Sequence, residues 1–201
     1  MATAVTPAIT LDQAAIRRIL PHQGAMCVLD AVTGCDTQQI VCRATGHRDP
    51  LHPMRGPRGL GSACGIEFAA QAMALHAALA GEGGPLHAAA TATGEGGPPS
   101  ATTTPAGEGG PTSAATTATG NGPRLPAGRL ASVRDVVFDV DRLDDIDDDL
   151  QIRATLLSGD PRSAMYTFEI EAAGRRLVSG RASVLIRPAV GPDDGRTPGA
   201  V

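Results

Sequence analysis

The spacing of apolar residues changes character along the chain, and each change predicts an element. Ile16, Ile19 and Leu20 share one face at helical spacing, behind Asp12 in a first turn, which predicts a short helix over Leu11–Leu20. Leu20-Pro21-His22-Gln23-Gly24 breaks it, because proline lacks a backbone N–H and crowds the preceding turn. Met26–Thr33 and Gln39–Ala44 are short apolar and β-branched runs that predict two antiparallel strands. An irregular stretch rich in Pro, Gly and Arg, 48–61, leads into the only long helical pattern, Ser62–Ala80. Its alanines favour helix, and Ile66, Phe68, Met73, Leu75 and Leu79 make nearly every face apolar, the mark of a buried helix. Strands follow at Leu130–Val140, Leu150–Leu157, Met165–Ala172 and Arg175–Arg187, the last two joined by a hairpin signal at Ala173-Gly174. One buried helix against an antiparallel sheet of about five to six strands makes an α+β domain.

Between the long helix and the next strand the periodicity disappears. Gly81-Glu82-Gly83-Gly84-Pro85 recurs at 94–98 and 107–111, with a decayed fourth copy at Gly120-Asn121-Gly122-Pro123, a period of 13. A stacked solenoid needs a long aliphatic residue in every repeat, and only Leu86 qualifies. The Ala, Thr and Ser spacers offer little burial against the entropy lost on ordering. Residues 81–123 therefore read as a low-complexity loop insertion. One domain is left over 1–80 and 124–188, with a flexible C-terminal tail at 189–201.

Composition narrows the function classes. Aromatics are 2% and Trp is absent, so the core must come from Ala, Val, Ile and Leu. All 17 basic residues are Arg, and the net charge is −4. No basic stripe interleaves with aromatics, so nucleic-acid binding is not expected. Cys27, Cys35, Cys42 and Cys64 form no CxxC pair and have no His at zinc spacing, which suits buried thiols in a reducing compartment and no metal site. No secretory signal is read in Met1–Thr10 and no apolar stretch is read as long enough to cross a bilayer, so a cytoplasmic protein without membrane association is expected. The acidic run Asp141–Asp149 lacks the Gly and spaced Glu of a calcium loop and reads as a solvated turn.

Against this background one pair stands out. Glu67 and Gln71 lie four apart, hence on one face, inside the otherwise apolar long helix. Burying a carboxylate without a partner costs several kcal/mol, so Glu67 is either paired to an Arg such as Arg43 or Arg181 or is chemically employed.

These residues carry a family resemblance. Ile16-Arg17-Arg18-Ile19-Leu20-Pro21-His22-Gln23-Gly24, continuing through Met26 to Asp30 and Val32, resembles the opening of hotdog-fold 3-hydroxyacyl-[acyl-carrier-protein] dehydratases. Gly65-Ile66-Glu67-Phe68-Ala69-Ala70-Gln71-Ala72-Met73-Ala74 resembles their central helix. It is most similar to the divergent dehydratase subfamily of aryl-polyene and related lipid clusters. The resemblance implies a hotdog fold and a catalytic pair, a loop His and a helix carboxylate, meeting across a dimer interface. Glu67 carries over as the carboxylate and Gln71 as its companion. In typical dehydratases the His lies fourteen residues before the Glu, where Pro53 stands; His52 is displaced by one, and in the divergent subfamily His47 is the better match. Both His47 and His52 are candidates, with His47 slightly preferred.

Elimination of water from a 3-hydroxyacyl thioester needs a base for the C2 proton, an acid for the departing hydroxyl and donors for the thioester oxygen. A neutral His suits the first role near pH 7. Glu67, desolvated in an apolar helix, suits the second. Amides around Ser62 to Gly65 at the helix N-terminus suit the third, with Gly65 allowing close approach. The implied substrate rides on the phosphopantetheine of an acyl carrier protein, with no bound cofactor, and Arg17, Arg18, Arg48, Arg55 and Arg58 could meet that acidic partner. A homodimer or a heterodimer with another hotdog dehydratase is expected. His22 reads as a residue that fixes its turn, and His76, nine positions past Glu67, as lying on the opposite helix face. Two other readings share the fold: a non-catalytic subunit of an active partner, and an acyl-thioester hydrolase.

Overall fold

Asp12 decides where the chain first turns helical. In the computed structural model, which describes residues 9–81, 84, 129–160 and 162–185, its extended backbone and a carboxylate accepting from the Ala15 amide at 2.8 Å make it an N-cap. The helix α1 is therefore Gln13–Ile19, shorter than the expected span, and Leu11–Asp12 becomes a short strand, β1. Leu20, held extended ahead of Pro21, ends α1. A 3₁₀ turn, Gly24–Met26, occupies the start of the expected second element, so β2 is only Ala31–Cys35. β3 matches its expected span, Gln39–Ala44.

The long helix α2 is Gly65–Ala80, preceded by a 3₁₀ turn at Ser62–Cys64. Then come β4 (Arg129–Phe138), β5 (Leu150–Asp160), β6 (Ser163–Ala172) and β7 (Arg175–Leu185). The strands form one antiparallel sheet in the order β1-β2-β3-β5-β6-β7-β4. The sheet has seven strands because β1 pairs with β2 through Leu11 and Asp12, a contact too short for periodicity to reveal. The β6–β7 hairpin turns on Ala173 and Gly174, both at positive φ (48° and 74°), as a two-residue turn between right-twisted strands requires.

The sheet lies across α2. Phe68, Met73 and Leu75 are wholly buried against a sheet face carrying Ile40, Cys42, Ile152, Ala154 and Ile170. By length and composition Ser62–Ala80 is apolar enough to cross a membrane, contrary to the expectation from sequence. Its packing under the sheet is that of a core helix. All of the 81–123 insertion except Gly81 and Gly84, the 189–201 tail, and the expected end of the last strand lie outside the described residues.

Candidate active site

α2 carries Glu67, partly exposed, and Gln71, one turn on, is wholly buried beside it. The Gln71 amide is committed within the chain. Its Nε2 donates to the Met26 carbonyl at 2.7 Å and to Glu67 Oε1 at 2.9 Å, while its Oε1 accepts from the Val28 amide at 3.1 Å. This clamp, together with Asp30 accepting from Gln13 and Thr45, fixes the 26–30 segment over the helix. Gln71 thus orients Glu67 and holds the 26–28 segment.

Glu67 is not sealed. Its side chain is 30% exposed, and its second partner is His22, whose Nε2 lies 3.2 Å from Glu67 Oε1. No described residue bonds Oε2. The arginines offered as alternative partners are engaged elsewhere, Arg43 with Asp149 and Arg181 with Asp135. His22, expected only to fix its turn, is the imidazole that meets the carboxylate. The Pro21 break that ends α1 is what swings it over α2. The motif held the residue; the contact between positions 22 and 67 is tertiary and leaves no trace in spacing.

His47 and His52 are placed differently. His47 is wholly buried, and its Nε2 donates to the Ile146 carbonyl at 3.0 Å. Since a carbonyl only accepts, Nδ1 is the bare nitrogen of this ring. His52, 8% exposed, accepts at Nδ1 from the Met54 amide at 3.2 Å and stacks on Phe68 with ring centroids 5.9 Å apart. Burial pushes both imidazoles below their usual range, so each is neutral at pH 7. Among the described residues of this single chain, no hydrogen bond or ion pair joins either of them to Glu67.

At the helix N-terminus three backbone amides are committed within the chain. The Ser62 amide donates to the Asp141 carbonyl at 3.0 Å, the Cys64 amide to Gly61, and the Gly65 amide to Ser62 and Ala63. These donors are therefore occupied. A Cβ on Gly65 would stand 2.9 Å from Ile170 Cδ1 and 3.3 Å from Val178 Cγ2, so this glycine admits the sheet. The acidic run is not simply solvated: Asp144, 1% exposed, takes Arg55 and Arg142 at 2.7 Å each and the Leu60 amide at 3.0 Å. The Arg142 guanidinium holds its carboxyl below the usual range. Asp144 thereby ties the approach to α2 to the 141–146 turn. It also engages Arg55, as Asp149 engages Arg48 at 3.5 Å, two of the cations expected to meet an acidic partner. His76 is remote, buried between the Tyr166 hydroxyl and the Asp36 carbonyl at 3.0 Å each.

A long helix packed within one antiparallel sheet, with a partly exposed carboxylate on that helix, defines a hotdog fold. Residues 14–86 match the family described as ApeP-like, ApeP dehydratase. The dehydratase heterocomplex ApeI:P from Xenorhabdus doucetiae shares the fold, with a TM-score of 0.59 and 21% identity over 87% of this chain and 91% of that chain. Zebra fish thioesterase superfamily member 2 aligns with a TM-score of 0.48 and 11% identity over 87% of this chain and 95% of that one. No curated protein matches in sequence. The resemblance to hotdog-fold dehydratases read from the sequence is thus met over residues 14–86, from α1 through α2.

Proposed function

We propose that this chain is a dehydratase that eliminates water from a 3-hydroxyacyl thioester carried on an acyl carrier protein. The observation that carries the reading is Glu67: a half-buried carboxylate on the central helix, oriented through Oε1, with Oε2 unpartnered among the described residues. In this role it handles the proton delivered to the C3 hydroxyl, while an imidazole, with His47 and His52 the candidates from the family pattern, serves C2.

Pairing with a second hotdog chain is part of this proposal. β4 ends the sheet order, and Leu130, Val137 and Phe138 on it are 40–46% exposed, an apolar edge that favours a partner. The ApeI:P structure is a complex of two different chains, so a heterodimer is the favoured form. The test is Glu67→Gln. It should keep the fold and lose hydration of enoyl thioesters; full activity in that variant would overturn the assignment. Comparing His47→Ala with His52→Ala, loss in neither would favour a subunit without catalysis of its own.

A further inference from the structure

We infer that His22 is a positioning residue for Glu67, holding its carboxylate and exchanging a proton with it during turnover. The inference rests on the dehydratase reading for its chemistry, while the contact itself stands apart from it. Three observations converge. His22 Nε2 is 3.2 Å from Glu67 Oε1, the same oxygen that accepts from Gln71 at 2.9 Å, so both partners meet one oxygen and Oε2 has no partner among the described residues. Both side chains are about one-third exposed, 33% and 30%, whereas His47 and His52 are buried and each tied by one ring nitrogen to the backbone. The His22 Nδ1 is buried and unpartnered among the described residues, so the ring's polar business is conducted through Nε2.

The chemistry follows from that contact. In the elimination the C2–H and C3–O bonds break, the C2–C3 double bond forms, and water leaves carrying the hydroxyl and one proton. Glu67 alternates between acid and carboxylate as that proton moves. Across the contact with His22, acid plus neutral imidazole exchanges with carboxylate plus imidazolium, with no change in total charge. His22 acts through Glu67: it sets which oxygen faces the substrate and returns a proton to the carboxylate, its partly exposed ring taking that proton from solvent, to which the base releases the C2 proton. Arg17 and Arg18 stand in the last turn of α1, just before His22, and Arg17 contacts the Cys27 thiol.

The experiment reads the contact and the reaction separately, on the full chain. With ¹⁵N-histidine label, Glu67→Gln should move the His22 Nε2 resonance at pH 7; an unmoved resonance would overturn the contact. In enoyl-thioester hydration His22→Ala should lower kcat by about twofold to fivefold, the loss of one partly exposed ion-pair contact at 3.2 Å, with KM little changed. His22→Gln, which returns a donor without a titrating ring, should recover part of the rate but not the wild-type dependence of kcat on pH. If His22→Gln restores both rate and profile, proton exchange is overturned and only a hydrogen bond is left. If the wild-type chain hydrates no enoyl thioester yet the resonance moves, the dehydratase reading fails and the His22–Glu67 contact stands.

Discussion

Gln71→Met probes whether the buried amide holds the site together or meets the substrate. Methionine keeps the length and nearly the volume, so the change removes hydrogen bonds without opening a large cavity. The Val28 amide, paired with Gln71 Oε1 at 3.1 Å in a buried setting, would lose its acceptor at about 1–3 kcal/mol. The Met26 carbonyl, beside a side chain 38% exposed, can find water and adds about 1 kcal/mol at most. The sum, about 1–4 kcal/mol, corresponds to a melting temperature lower by about 2–16 °C for a chain of this size. Scanning calorimetry on both proteins measures it. A residue that served only to contact substrate would leave the melting temperature unchanged and raise KM. A shift under about 2 °C would therefore refute the clamp.

Gly65→Val should destabilise by about 1–3 kcal/mol through contact with Ile170 and Val178; wild-type stability would mean the position faces open space. Burial lowers the titration of His47, His52 and His76, so between the ordinary imidazole value, about 6.5, and their lower folded values the unfolded chain binds more protons. Stability should fall as pH drops through that window. Urea midpoints measured from neutral pH downward check this, and a flat profile would contradict it. Deleting 81–119 should change stability by about 1 kcal/mol or less, read from the same urea curves; loss of the cooperative transition would show the repeat to be structural.

Local signals carried most of the fold. β3 was legible because Ile40 and Cys42 alternate inward, and the last hairpin because Ala173-Gly174 offers the two left-handed positions such a turn needs. Glu67 was legible because a carboxylate inside an apolar helix is anomalous whatever the fold. Its surroundings were not. Its partial exposure depends on how the chain packs around α2, and its pairing with His22 depends on a turn folding back across 45 positions. Gln71 advertised polarity but not direction, and only the path of the 26–28 segment shows that its amide is used inward. Asp144 was hidden among neighbouring aspartates, since nothing in such a run marks the member that two arginines bury. The Ser62 amide, one of the donors sought for a thioester oxygen, is taken by Asp141, a residue from the far side of the insertion.

The most direct test of the central claim is to incubate the purified chain, alone and with a second hotdog dehydratase, with crotonyl and longer enoyl thioesters in D₂O and to follow the products by mass spectrometry. A dehydratase yields a 3-hydroxyacyl thioester carrying deuterium at C2, with the thioester bond intact and the product absent from Glu67→Gln. Release of free thiol and a carboxylic acid, with no water added across the double bond, would contradict the dehydratase reading.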